Sequence, residues 1–111
     1  MKRPSSRGLV VFITAADKRQ AIRIGKVAVE ARLAACVNVV LPGIRSIYRW
    51  KGKVIVEKEV LVMLKTTEDR YRALEKAIKR LHSYQVPEVI AVPIKRGSQQ
   101  YLGWVRSETN K

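Results

Sequence analysis

The chain has 111 residues, 47% of them apolar, which suffices for one domain that buries roughly two-thirds of its unfolded surface. Its formal net charge is +14, from 23 Lys and Arg against 9 Asp and Glu. These basic residues are spread along the whole sequence, so the charge predicts a solvated cationic surface that adheres non-specifically to polyanions at low salt. The single cysteine excludes an intrachain disulfide and a four-cysteine zinc site.

The domain organisation follows from composition along the chain. Residues 1–8 are basic and polar without an apolar pattern, so we expect a disordered basic tail. One domain is predicted over residues 9–107, followed by a frayed C-terminus at 108–111. No segment has the ~20 apolar residues of a membrane span, and the first apolar run is too short for a signal peptide. We therefore expect a cytoplasmic protein.

The first elements are a strand and an amphipathic helix. Residues 9–13 form a continuous apolar run, which predicts a central strand. Asp17 followed by Gln20 has the spacing of a capping box, and helically spaced apolar residues continue to about Arg32. Gly25 inside this helix costs about 1 kcal/mol relative to Ala, which suggests a close packing contact at this position.

The centre of the chain predicts a long hairpin, called the arm, over residues 44–65. A strand at 34–40 is interrupted by Pro42 and Gly43, because Pro lacks the donor that a central ladder requires. We expect a bend or bulge there. Gly52 supplies the positive φ of a tight turn between the two halves of the arm.

The second half predicts a helix, a strand and a short final helix. Thr66 and Thr67 offer caps for the helix. Apolar residues at helical spacing follow them, namely Tyr71, Leu74, Ile78 and Leu81. A loop at 82–87 leads to a strand at 88–94, and Ser98 is positioned to cap the last helix.

This order predicts the βαββαβ pattern of an α+β, ferredoxin-like sandwich with both long helices on one face of a four-stranded antiparallel sheet. The other face would be uncovered in a monomer. Residues 60–64 are apolar at every position, which is typical of a strand covered on both sides. We therefore expect an oligomer in which sheets pack together and the arm pairs with a neighbour.

Several motifs resemble the CutA family of divalent-cation tolerance proteins. They are TAAD at 14–17, RLAACVN at 32–38, SIYRWKGK at 46–53, EVLVMLKT at 59–66, HSYQVPE at 82–88 and YLGW at 101–104. The resemblance covers about residues 9–105. It implies a ferredoxin-like fold assembled as a homotrimer similar to the PII signalling proteins. It also implies a role in the response to copper and other divalent metals, without catalysis.

The sequence departs from the usual family pattern at three points. Ala16 stands where family members commonly have Pro, and residues 54–56 are apolar where the arm commonly carries acidic residues. The net charge of +14 is also unlike the near-neutral or acidic members.

His82 and Cys36 are the candidate metal ligands. Imidazole suits Cu(II), but a helix-terminal His that bonds the last carbonyls is the competing interpretation. Metal-binding relatives use a paired His-His here and a Cys on the first strand, whereas this chain has Leu81 and Ile13. We therefore expect weak copper binding at His82, not required for folding. Cys36 is a less favoured ligand, since a small buried apolar residue explains it more simply.

A second candidate site comes from the resemblance, which places four residues at a cleft between subunits: Trp50, Lys65, Tyr84 and Glu88. Together they would form a polar and aromatic pocket for a small ligand. The structural alternative is that the aromatics pack the interface and Lys65 pairs with a carboxylate.

Other functions are less well supported. The sequence lacks a phosphate-binding Gly-rich loop and a paired acidic motif, so we do not expect an enzyme. RNA-recognition modules stack bases on aromatics of two central strands, and here those strands offer only Phe12, so specific nucleic-acid binding is not expected. A PII-like small-ligand sensor or a scaffold trimer remains the alternative to metal tolerance.

Overall fold

The computed structural model describes residues 6–110. The elements are β1 (Gly8–Ala15), α1 (Lys18–Glu30), β2 (Cys36–Trp50), β3 (Lys53–Thr67), α2 (Glu68–Leu81), β4 (Val89–Pro93) and α3 (Gln99–Glu108). Their order confirms the sequence prediction of strands and helices. The strands form one antiparallel sheet in the order β2-β3-β1-β4. The molecule is therefore an α+β protein with a four-stranded antiparallel sheet and three helices.

The hydrophobic core lies between one face of the sheet and helices α1 and α2. Alternate residues of β1 and β3 point into it, so that Val11 pairs with Leu64 and Ile13 with Val62. The helices contribute Ala21, Ile24, Ala28, Leu74, Ala77 and Ile78. The apolar face of each helix and the alternate apolar residues of the strands face each other in this core. Each element therefore carries its own apolar period in the sequence.

Helix α1 begins at the predicted cap. The Asp17 side chain accepts a hydrogen bond from the Gln20 amide at 2.9 Å, and the Gln20 side chain accepts one from the Ala16 amide at 3.2 Å. This confirms a capping box whose return bond reaches the residue before the cap. A Cβ atom at Gly25 would lie 3.0 Å from Cγ1 of Val37, so the expected close packing contact is present.

Residues of the predicted N-terminal tail help to begin helix α2. Ser6 Oγ accepts a hydrogen bond from the Asp69 amide at 3.1 Å, and the Arg7 carbonyl accepts one from the Glu68 amide at 2.8 Å. Thr67 occupies the N-cap position without a side-chain cap bond. The tail predicted over 1–8 is therefore bonded at residues 6 and 7 and enters β1 at residue 8, while residues 1–5 lie outside the described part.

Residues 107–110 are also held in place. Ser98 Oγ accepts a bond from the Tyr101 amide and caps α3 as predicted. The Arg32 guanidinium donates to the carbonyls of Asn110 at 2.9 Å and Ser107 at 3.2 Å, and Thr109 is buried. Residues 108–110 of the segment predicted to be frayed are thus anchored, and residue 111 lies outside the described part.

The arm projects from the sheet and gives the molecule extents of 53 × 25 × 25 Å. Its turn has positive φ at both Lys51 and Gly52, as a two-residue hairpin requires. The register shifts between Val40 and Ile44, which places the predicted bulge. A Cβ atom at Gly43 would lie 2.7 Å from the Glu59 carbonyl oxygen, so only Gly permits this approach of the strands.

The sheet face opposite α1 and α2, called the open face, is largely apolar. Strand register places these residues on it: Val10, Phe12, Val40, Leu61, Met63, Ile90 and Val92. Within a single chain Ile90 is 53% exposed and Val92 49% exposed. Residues 60–64 accordingly alternate between buried and half-buried positions. The half-buried ones lie on the open face, which is the face predicted to pack against another copy.

Candidate functional site

A cavity lies where the arm leaves the open face. It has a volume of about 660 Å³. Strands β2 and β3 supply one wall, and the loop between α2 and β4 supplies the other. The lining residues are Thr14, Ser46, Ile47, Tyr48, Trp50, Glu57, Glu59, Tyr84, Gln85, Val86 and Glu88.

A chain of hydrogen bonds links phenols to carboxylates along this wall. The Tyr84 hydroxyl donates to Glu59 Oε2 at 2.8 Å, and Glu57 Oε1 lies 3.3 Å from the same hydroxyl. The Tyr48 hydroxyl donates to Glu57 Oε2 at 3.0 Å. Glu57 and Glu59 lie two residues apart on β3, so strand alternation directs both to the same face.

Both phenols are held in their neutral, donating form. Burial, with the hydrogen bond to Glu59 as a further cause, raises the pKa of Tyr84 well above the ordinary tyrosine value. The hydrogen bond to Glu57 is the main cause that raises the pKa of Tyr48, which is exposed. At neutral pH each hydroxyl therefore keeps its proton and donates a hydrogen bond to a carboxylate.

The charge of the cavity is opposite to that of the chain. Glu57, Glu59 and Glu88 line it, and among residues 6–110 no Lys or Arg does. No salt bridge between described residues involves these three carboxylates. Glu59 is only 4% exposed, so its carboxylate lies largely out of water with a phenol as its hydrogen-bond donor.

The His82 side chain positions Tyr84, while its backbone amide donates to the Ile78 carbonyl at the end of α2. Its ring Nδ1 accepts a hydrogen bond from the Tyr84 amide at 3.1 Å, which places the ring proton on Nε2. Nε2 then donates to the Thr14 carbonyl on β1 at 2.7 Å. Both ring nitrogens of this buried imidazole are thus hydrogen-bonded, and a metal ion at either one would have to displace a bond.

The structure brings together three of the four residues predicted for the ligand cleft. Trp50, Tyr84 and Glu88 line the cavity, whereas Lys65 does not. Lys65 Nζ donates to Asn38 Oδ1 on the open face. It is six residues from Glu59 along β3, or about 20 Å at ~3.3 Å per residue. Within one chain Lys65 is therefore remote from the cavity.

The second predicted metal ligand, Cys36, is half-buried at the start of β2. Burial and the neighbouring Cys36 thiol raise the pKa of Tyr101 on α3. Within residues 6–110, no group of three or more His, Cys, Asp or Glu side chains is arranged to hold a metal ion. Among the described residues, neither His82 nor Cys36 is therefore part of a group of three or more such ligands.

Sequence reasoning missed Tyr48, Glu57 and Glu59. From the sequence alone, Glu57 and Glu59 are only alternating charged residues of the arm. The signal was present, because residues two apart on a strand share a face. What the sequence did not show is that the loop carrying Tyr84 lies over that face.

Comparison with known proteins identifies the family. Residues 9–108 match the family described as CutA1 divalent ion tolerance protein. The chain belongs to the CutA1 family. It is 48% identical over 100 residues to the divalent-cation tolerance protein CutA of Thermus thermophilus, covering 90% of this chain and 96% of that protein.

Two further comparisons extend this relationship. The chloroplastic protein CutA 1 of Oryza sativa is 44% identical, over 93% of this chain and 58% of the rice protein, so this chain spans little more than half of that relative. The solved divalent cation tolerance protein from Thermus thermophilus superposes with a TM-score of 0.90 at 47% identity, covering 93% of this chain and 99% of that one. The fold is therefore that of solved CutA1 proteins.

The family is named for tolerance of divalent ions. Between residues 6 and 110, no helix has both the length and the apolar character needed to cross a bilayer.

Proposed function

We propose that this protein acts in tolerance of divalent cations as a non-catalytic homotrimer of ferredoxin-like subunits. Family membership supports the tolerance role. The exposure of the open face is the main support for the trimer. Ile90 and Val92 are about half exposed there, on a sheet whose other face is packed. A contiguous apolar face of this kind favours burial against another copy.

The ligand cleft belongs to this assembly. The cavity lies at the arm end of the open face, so a neighbour packed on that face would form its further wall. We propose that a neighbouring copy brings Lys65 toward Trp50, Tyr84 and Glu88, since Lys65 lies on the open face of its own chain. We place the assembly in the cytoplasm. The named tolerance family favours this role over a PII-like sensor.

We propose that the protein binds copper weakly. His82 is the proposed ligand, and Cys36 the less favoured one. Binding is weak because the imidazole has to give up its bond to the Tyr84 amide or to the Thr14 carbonyl. The metal is not required for folding, since the core forms from apolar residues of the sheet and helices.

Calorimetric titration with CuSO₄ tests the copper assignment. Affinity is expected to be low, and His82→Asn is expected to lower it further while keeping a polar side chain near Thr14. Cys36→Ser is the matched control for the less favoured ligand. Copper affinity that is unchanged by His82→Asn and abolished by Cys36→Ser would reverse the assignment.

Growth of a bacterial strain that lacks its own CutA1-family gene tests the tolerance role. Expression of this chain is expected to restore growth on copper-containing medium. Failure to restore growth, with the protein present at normal level and assembled, would contradict the proposed function.

A further inference from the structure

The arm has a second face, on the side away from Glu57 and Glu59. It is called the outer arm face, and its residues are Arg45, Ile47, Arg49, Val54, Val56 and Lys58. We propose that the outer arm face docks on the surface of an anionic phospholipid bilayer. This inference goes beyond the proposed tolerance role, because it requires neither a metal ion nor a ligand in the cavity.

Strand register places these side chains together. Directly opposed residues of an antiparallel pair lie on the same side of the ribbon, and the opposed pairs here are Arg45 with Lys58, Ile47 with Val56 and Arg49 with Val54. Along β3, alternation puts Val54 and Val56 on the same side as Val60 and Val62, which point into the core. The outer arm face thus continues the helix-covered side of the sheet. A neighbour that packs on the open face, or pairs along the edge of β2, leaves it uncovered.

The apolar side chains of this face are exposed. Ile47 is 71% exposed, Val56 65% and Val54 61%, although Ile47, on the edge strand, also borders the cavity. Adjacent apolar side chains in water mark an interaction site. The face is about 13 Å long and about 10 Å wide at the usual strand dimensions. It is therefore several-fold smaller than the ~800 Å² per partner that a stable protein interface buries, whereas a bilayer surface accepts a small patch.

The same face carries three basic residues and no carboxylate. Arg45 lies directly opposite Lys58, which is unfavourable for two like charges. No salt bridge between residues 6 and 110 involves either side chain. Glu57 lies on the other face, in the cavity wall, and Lys51 and Lys53 add positive charge at the tip. Anionic headgroups complement this charge, since Lys and Arg near a bilayer surface are attracted to them.

The aliphatic side chains favour a lipid surface over a nucleic acid. Phosphate contacts of a nucleic acid use charged and polar groups, and single-stranded bases stack on aromatic side chains. The aromatic residues of the arm, Tyr48 and Trp50, line the cavity instead. At a bilayer, Ile47, Val54 and Val56 would enter the boundary between headgroups and acyl chains while the basic groups stay with the headgroups.

Cosedimentation with phospholipid vesicles tests the inference on the wild-type protein at ~0.1 M salt. Binding is expected to vesicles of equal parts phosphatidylglycerol and phosphatidylcholine, and not to vesicles of phosphatidylcholine alone. Val56→Thr keeps the charge and the β-branched shape but removes apolar surface, so affinity should fall roughly three- to fivefold. Arg49→Gln should lower it by about fivefold.

Matched controls lie on α1. Val29→Thr and Arg23→Gln make the same two chemical changes at exposed positions of that helix. Both variants should bind the anionic vesicles as the wild type does. Equal weakening by Arg23→Gln and Arg49→Gln, with no effect of Val56→Thr, would overturn the proposal, since it would reveal attraction to the overall charge alone.

Other occupants of the face give different results. Binding of a uridine oligonucleotide that Val56→Thr weakens, without binding to anionic vesicles, would overturn the lipid surface in favour of a nucleic acid. A crystal structure in which a second copy covers Val54 and Val56 would also overturn it.

Sedimentation of the same samples without vesicles separates this inference from the proposed function. A wild-type trimer that does not bind anionic vesicles would overturn lipid docking and leave the tolerance role standing. A wild-type monomer that binds them, and loses affinity in Val56→Thr, would support the docking face and contradict the proposed assembly.

Discussion

Two neighbouring side chains, those of His82 and Tyr84, position the buried carboxylate of Glu59. His82 fixes the Tyr84 backbone through Nδ1 and anchors itself to Thr14 through Nε2, and the Tyr84 hydroxyl then donates to Glu59. Each link satisfies a polar group that burial would otherwise leave unpaired. The imidazole is thus a structural support for the cavity, which explains its position without requiring a metal.

The raised pKa of Tyr84 predicts how this support responds to alkali. Because the folded-state pKa lies above the ordinary value of 10.0, the neutral phenol stabilises the folded protein fully below that value. This contribution is lost as the pH rises toward the folded-state pKa. Ultraviolet titration of tyrosinate should therefore show one tyrosine that ionises later than the other three, and Tyr84→Phe should remove it.

Tyr84→Phe should also lower the free energy of unfolding by about 1.5–3 kcal/mol at neutral pH, the usual range for a hydrogen bond to a charged group. Chemical denaturation at fixed protein concentration measures this difference. Tyr71→Phe is the control, since burial is the main cause that raises its pKa and no hydrogen bond to a carboxylate holds it. Equal losses in the two variants would refute a specific role for the bond to Glu59.

At the scale of elements, the pairing of the two arm strands is interrupted by one bulge. β2 and β3 pair on both sides of a register shift between Val40 and Ile44, and Gly43 lies at this shift with φ of 142°. The cavity residues Ser46, Tyr48 and Trp50 follow this shift on β2, so the bulge sets which face of the sheet they share with Glu57 on β3. Geometry at the base of the arm therefore determines the shape of the cavity.

Gly43→Ala is expected to destabilise the protein by about 1–3 kcal/mol, the usual range for a residue forced into a sparsely populated backbone region. The added Cβ would also lie 2.7 Å from the Glu59 carbonyl oxygen. The denaturation midpoint measures the change. Gly52→Ala is the matched control at another positive φ, because nothing lies within 4 Å of a Cβ there. A milder effect at Gly43 than at Gly52 would contradict the steric account.

At the scale of the whole molecule, cationic, apolar and acidic residues lie on different surfaces. Exposed Lys and Arg on α1 and α2 make the helical side cationic, whereas the open face is apolar and the cavity beside it is acidic. In a trimer each subunit would add a charge of +14. Apolar burial must therefore hold the copies together against repulsion, which salt screens.

Ile90→Lys tests this assembly, because it places a charge on the open face at a residue that is 53% exposed in one chain. Sedimentation should show a trimer for the wild type, persisting at high salt, and smaller species for the variant. Ile22→Lys is the control, since Ile22 is 40% exposed on α1 away from that face. A wild-type monomer, or a trimer undisturbed by Ile90→Lys, would count against packing through the open face.

Much of the fold was predictable from local patterns. The cap at Asp17, the bulge at Gly43 and the cap at Ser98 each depend on residues close in sequence, and the structure confirms them. Thr66 was expected to cap α2, but its hydroxyl donates to the Leu33 carbonyl at 2.6 Å. Ser6 supplies a cap bond instead, and a partner 63 positions away leaves no local pattern.

The candidate site was predictable only in part. Motif resemblance singled out Trp50, Tyr84 and Glu88, which line one cavity, but it also included Lys65, which lies elsewhere in the single chain. The sequence does not single out Tyr48, Glu57 and Glu59. Strand alternation places the two Glu side chains on one face, but nothing in the sequence shows that the Tyr84 loop lies over that face.

The sequence by itself determined the order of strands and helices, the apolar open face and the family, because these follow from periodicity and motifs along the chain. Only the tertiary structure decided which carboxylates are buried together and that both nitrogens of His82 are occupied. The physical reason is distance along the chain: Thr14, Glu59 and Tyr84 meet only when separate strands and a loop pack, and no local pattern encodes that meeting.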